Sequence, residues 1–165
     1  MEIERKWLFN SIAAPQGTPV IGEYFYKQAY ISTNPEVRIR ARRVAGEDSF
    51  TYALCIKSKG TIERIEVQKE LNENEFNELM IVGNISDDDF ICKHFYRYIV
   101  DRHELTLGAA DIGKPTEFFY GEIEFNSVED AENFVAPQWF GQEVTDNPNY
   151  KMSNFWERTR RLNNK

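Results

Sequence analysis

Cysteine, histidine and long apolar runs are all scarce in this chain, and each scarcity closes off a class of chemistry. Two cysteines in 165 residues, Cys55 and Cys92, are too few for a disulfide framework and lack Cys-x-x-Cys spacing. The two histidines, His94 and His103, join no His/Cys cluster, so no zinc ligand set is spelled out. No run approaches the length of a transmembrane helix, and no signal-peptide stretch follows the charged N-terminus. The expectation is therefore a cytoplasmic protein without a membrane partner. Positive charge is also short: a net charge of −7 offers no basic exterior for nucleic acid. What remains, 41% apolar and 14% aromatic residues, is enough to bury a core, and the length predicts one domain spanning 1–165. A homodimer is compatible with this composition.

The charge that is present is ordered with a two-residue period. Glu2, Glu4 and Lys6 fall on one face of a strand, while Ile3, Trp7 and Phe9 fall on the other. Arg38 and Arg40 oppose Val37 and Ile39, Arg64 and Glu66 oppose Ile65 and Val67, and Glu122 and Glu124 oppose Ile123 and Phe125. Such faces make either a solvated sheet or the lining of a charged cavity. Thr51, Ala53 and Cys55 share a face with Lys57, as small residues leaving room beside a charge would. Both signs on one face suit cations held by carboxylates while basic groups grip an anion. A polar-in, apolar-out membrane barrel fits poorly with the missing export signal and the amphipathic helices available to cover the outside.

Alternating β-branched and aromatic residues predict strands over roughly 1–9, 22–32, 35–45, 48–58, 62–71, 92–102, 103–109 and 117–126. Helices are fewer. Asn72 or Asn74 caps a segment reaching Val82, Ser127 to Asp130 reads as a capping box for a helix through Val135, and Met152 to Leu162 reads as helical.

Glu2-Ile3-Glu4-Arg5-Lys6 resembles the N-terminal Glu-x-Glu-x-Lys signature of the CYTH superfamily, the triphosphate tunnel metalloenzymes. The likeness continues through Gln28-Ala29-Tyr30-Ile31, Val37-Arg38-Ile39-Arg40, Ala53 to Gly60, Arg64-Ile65-Glu66 and Gly121-Glu122-Ile123-Glu124-Phe125. The tail from Trp139 to Lys151 is similar to that of the family's bacterial triphosphatase branch. The resemblance implies an α+β fold: a closed antiparallel β-barrel of about eight strands with a charged lumen and helices packed outside. It implies that Lys6, Arg38, Arg40, Lys57, Arg64 and Arg97 contact a triphosphate-containing small molecule. It also implies that Glu2, Glu4, Glu66, Glu122 and Glu124 hold Mg²⁺ or Mn²⁺, and that Lys57 and Tyr30 act near the leaving group.

The expected activity is metal-dependent hydrolysis of inorganic or small organic triphosphate. A class IV adenylyl cyclase and a non-catalytic polyphosphate or nucleotide binder are the alternatives. Three positions depart from the family pattern: Phe95 replaces the first basic residue of Lys-x-Arg, Gln68 a glutamate, and Thr106 an acidic residue after Glu104. Lys93 lies on the same parity as Phe95, and Glu70 and Asp111 are nearby carboxylates. Taken singly, Lys151 and the basic run Arg158 to Arg161 read as a solvated helical face, with a helix capping one tunnel end as the alternative.

Overall fold

The structure is a computed structural model and describes residues 1–161. Nine strands lie in one antiparallel sheet: β1 Glu2–Phe9, β2 Val20–Thr33, β3 Glu36–Val44, β4 Thr51–Lys57, β5 Glu63–Arg64, β6 Glu66–Leu71, β7 Ile91–Val100, β8 His103–Ala110 and β9 Phe118–Glu124. Their order is β5-β1-β9-β8-β7-β2-β3-β4-β6. The predicted strand over 62–71 is broken at Ile65, and its two halves pair with opposite edges of the sheet. Glu2 faces Arg64 across β1 and β5, while Lys57 faces Glu66 across β4 and β6. That split nearly closes the barrel. Gly60 prepares the break: its φ of +150° is a conformation that side chains rarely adopt, and a Cβ there would meet Glu63 O at 2.3 Å.

Three short α-helices accompany the sheet: α1 Glu73–Val82, α2 Val128–Asn133 and α3 Met152–Trp156. Asn72, rather than Asn74, caps α1 and forms a full capping box with Glu75. Ser127 caps α2 through Asp130 N, but the Asp130 side chain turns to His103, so only half of the predicted box forms. Helix α3 continues as a π-type turn over Glu157–Arg161, and the predicted endpoint Leu162 lies outside the described residues.

The odd-numbered face of β1 is buried in an aromatic jacket. Ile3, Trp7 and Ile123 pack with Ala131 of α2, Phe134 and Phe140. Trp7 meets the Phe134 and Phe140 rings edge-on, with centroids 5.7 and 5.2 Å apart. Ile39 joins a second cluster with Phe76 of α1 and with Phe155 and Trp156 at the C-terminal end. Two outward residues are not covered as helices packed outside would have it: Ile65, at the break in the strand, and Val67 of β6 are each 60% exposed. Among the described residues no helix is long and apolar enough to cross a membrane.

Candidate active site

The even-numbered faces of β1, β2, β3 and β9 and the odd-numbered faces of β4 and β7 all turn inward, as the pleat requires. They line two joined chambers, of about 320 and 700 Å³. Lys6, Tyr30, Glu36 and Arg64 border the smaller one, which is closed by the loop around Thr61 and by the segment 144–154. Glu2, Arg40, Glu66, Arg97 and Glu124 border the larger. Glu4, Arg38, Lys57, Lys93 and Glu122 border both and form a waist. Every residue assigned a site role from the sequence thus faces this one lumen. Basic side chains outnumber acidic ones in the lining, although the chain as a whole carries −7.

The waist is held by exchanged charges. Lys57 Nζ donates to both carboxylate oxygens of Glu2 at 2.7 and 2.8 Å and lies 2.9 Å from Glu66 Oε2. Arg64 Nη2 donates to Glu4 Oε1 at 2.7 Å, and Lys6 Nζ lies 2.8 Å from Glu122 Oε1. Burial and the neighbouring Glu4 push the Glu2 carboxyl up to about 7, against the pull of Lys57. Burial would also raise Glu66 and Glu122, but Lys57 holds the first down, and Lys6 with Lys93 the second. For Lys57 burial and Arg38 favour the neutral amine, yet the surrounding glutamates win and raise its pKa, so it stays charged. Burial raises Tyr30, whose hydroxyl accepts from Gln28 Nε2 at 3.3 Å and stays protonated at neutral pH.

Other groups in the lumen are left wanting a partner. Among the described residues Arg38 Nε, Arg42 Nε and Arg64 Nε are buried without a hydrogen bond, as is the Tyr120 hydroxyl. Buried donors of this kind are costly when unfilled, and guanidinium donors match phosphate oxygens in geometry and charge.

The carboxylates suit a hard divalent cation in donor chemistry, being all oxygen and crowded enough that Glu2 resists ionisation. Among the described residues, however, no three acidic, histidine or cysteine groups are already arranged around one point. Glu2, Glu4, Glu66 and Glu122 are turned to Lys57, Arg64 and Lys6 instead.

The remaining candidates sort plainly. Arg97 is at the wide chamber but is paired with Glu104 and packed against the Tyr24 ring. Gln68 accepts from Arg40 Nη2 at 3.4 Å, and Phe95 and Thr106 also line the wide chamber. Lys93 points into the lumen at the waist. Asp111 cannot replace a missing carboxylate, because it is buried against Arg160 and Thr116 away from the lumen, and Glu70 lines neither chamber. The reading of the C-terminal basic residues as a solvated face is wrong for three of them. Lys151 pairs with Glu36 at 2.8 Å inside the smaller chamber, Arg160 is buried, and Arg161 binds Asp89. Lys151 belongs instead to the segment that caps the tunnel end. Glu36 escaped sequence reasoning, though its parity with Arg38 and Arg40 was a usable signal.

The same architecture is found in known proteins. The chain is similar to an inorganic triphosphatase. That enzyme, from Nitrosomonas europaea, is 27% identical over 151 residues, covering 91% of this chain and 93% of the relative. The crystal structure of the inorganic triphosphatase NE1496 superposes with a TM-score of 0.59 at 24% identity, over 94% of this chain and 93% of that one. The PH1012 protein from Pyrococcus horikoshii gives 0.58 at 17% identity, over 80% and 82%. No family model matches the sequence.

Proposed function

We propose that this chain is a CYTH-type, divalent-metal-dependent triphosphatase that hydrolyses inorganic triphosphate or a small organic triphosphate inside the barrel. The observation that carries the reading is Arg38, half-buried at the waist with its Nε buried and unfilled, and bordering both chambers. A linear polyanion lying along the lumen meets Lys6 and Arg38 and then Arg40, Arg38 and Arg40 being same-face neighbours about 7 Å apart along β3. The likeness to an inorganic triphosphatase over nearly the whole chain supports the same substrate class.

In the reaction a water oxygen bonds to the terminal phosphorus while the bridging P–O bond breaks, so that triphosphate yields orthophosphate and diphosphate. Lys57, held charged by its glutamates, and Arg38 stabilise the charge gathering on the departing oxygen. Tyr30, neutral and buried, offers a hydroxyl to the substrate from the smaller chamber. Lys57 and Tyr30 are themselves buried, which strengthens the interactions they make. Glu2, Glu4, Glu66, Glu122 and Glu124 would hold Mg²⁺ or Mn²⁺, which when bound supplies further charge neutralisation on the phosphate oxygens.

A phosphate-release assay with triphosphate, thiamine triphosphate and ATP, each with Mg²⁺, with Mn²⁺ and with EDTA, tests this. Release is expected only with metal, and the Glu2→Gln/Glu4→Gln double variant should lose it. Full activity in EDTA or in that variant refutes metal dependence. Tight binding without release above background refutes hydrolysis.

A further inference from the structure

Lys93 is a lysine placed where a folded protein gains nothing from it. Only 6% of it is exposed, it borders both chambers, and among the described residues no hydrogen bond or ion pair reaches its ammonium. Its nearest recorded company is aromatic: Nζ lies 5.3 Å from the Tyr120 ring centre and 5.5 Å from that of Phe95. The same Tyr120 ring has Lys6 Nζ at 4.7 Å, so two cationic side chains converge on one aromatic at the waist. Lys6 answers its charge with Glu122 at 2.8 Å. Lys93 is in no ion pair recorded among the described residues, and burial holds its amine well below the usual lysine range although Glu122 pulls the other way. Ring faces attract a cation weakly compared with the hydration lost on burial, so this arrangement is a net cost to the apo fold.

We propose that Lys93 is a substrate-binding residue at the waist, its ammonium closing onto phosphate oxygens of the bound polyanion, beside a position 95 that carries phenylalanine and so offers no charge. The proposal rests on the reading of the lumen as a triphosphate site. The pleat explains why 93 can serve where 95 cannot: both side chains face inward, one step apart along β7, and only 93 lies at the junction of the chambers. Phe95 then acts as the apolar wall that keeps the lysine stem upright and its head dry. A lysine suits this position because its three donors on one atom can serve oxygens of adjacent phosphoryl groups without a fixed fork.

The test compares Lys93→Met, Lys93→Arg and, as a surface control, Lys114→Met with the wild type. Triphosphate affinity is read by calorimetry and apo stability by thermal melting. Lys93→Met should weaken triphosphate binding about tenfold or more, as loss of a charge-assisted contact does. The same variant should raise the apo Tm by roughly 2–4 °C, because a buried amine with neither a hydrogen bond nor an ion pair is replaced by an apolar side chain while Glu122 keeps Lys6. Lys93→Arg should recover much of the affinity, and Lys114→Met should change neither readout. A structural lysine would behave oppositely, with Tm falling on removal, and that result overturns the proposal. Unchanged affinity in Lys93→Met also overturns it, while leaving the triphosphatase reading intact. If wild-type protein binds triphosphate but never hydrolyses it, the catalytic reading fails and the role of Lys93 stands. If it does not bind triphosphate, both fall.

Discussion

Asp111 and Lys57 are both charged, both largely buried and both surrounded by opposite charge, yet the centres they anchor are built on different terms. Asp111 is complete. Arg160 donates to both of its oxygens, Thr116 Oγ1 donates to Oδ2 at 2.7 Å, and Arg160 spends another donor on Phe90 O at 3.1 Å. The centre joins the end of β8 to the C-terminal turn and leaves nothing facing the lumen. Around Lys57 the pairs are shared, so that one ammonium serves Glu2 and Glu66 while Arg64 serves Glu2, Glu4 and, more distantly, Glu36. Arg38 beside them keeps an empty donor. A closed ionic centre ties elements together. An open one can trade its partners for a ligand, and the price is paid in apo stability.

The largest effect should come from breaking the closed centre. Asp111→Ala strands the Arg160 guanidinium in a buried site and should cost about 3–5 kcal/mol of unfolding free energy, measured by denaturant titration. Arg160 and Thr116 hold the Asp111 carboxyl below its usual range, against burial that would raise it. A depressed folded pKa stabilises fully above the unfolded value of about 3.9 and is lost as pH falls through the folded value. The stability gap between wild type and variant should therefore be constant near neutrality and shrink below about pH 4. A gap that persists undiminished in acid would mean the carboxylate charge contributes nothing.

The open centre should respond in the other readout. Arg38→Ala removes charge-assisted contacts from a desolvated site and should weaken triphosphate binding by about 1.5–3 kcal/mol, seen as a rise in Kd by calorimetry. Its effect on apo stability should be small, since Arg38 takes part in no ion pair recorded among the described residues and one of its donors is already unfilled. If Arg38→Ala instead unfolds the protein with affinity intact in the folded fraction, the distinction between the two centres collapses.

This contrast also explains what the sequence could tell. Which residues share a face was legible because a strand has an exact two-residue period, so Glu2, Glu4, Arg38, Arg40, Glu122 and Glu124 fall on charged faces as soon as their strands are recognised; that these faces turn inward was implied by the family resemblance and not by the period. The cap of α1 was legible to within Asn72 or Asn74 for the same local reason, a side chain and a backbone three residues apart, and the structure selects Asn72. The break at Ile65 was not, because its cause is barrel closure, in which Arg64 must meet Glu2 while Glu66 meets Lys57. The partners of Lys151, Arg160 and Arg161 lie 115, 49 and 72 residues away, and no periodicity encodes contacts of that separation. The departures at Phe95, Gln68 and Thr106 were visible as letters, but whether Lys93 or Asp111 stood in for a lost group depended on which side of the sheet each ended up.

The smallest effect sharpens the comparison from outside the lumen. Asn72 Oδ1 accepts from Glu75 N at 2.8 Å, and Glu75 Oε2 accepts from Asn72 N at 2.8 Å, so both halves of the box depend on residue 72 being in its extended conformation. Asn72→Ala removes the first bond only and should cost about 1 kcal/mol of stability. Helix α1 buries Phe76 against Tyr52 and Phe90 on the jacket, and none of its residues lines either chamber. Loosening its first turn should therefore lower Tm by roughly 2–4 °C and leave triphosphate affinity and turnover at low temperature as they were. A change in turnover without a change in Tm would show that the jacket and the lumen are coupled through β4, whose Tyr52 faces the helix and whose Lys57 faces the lumen.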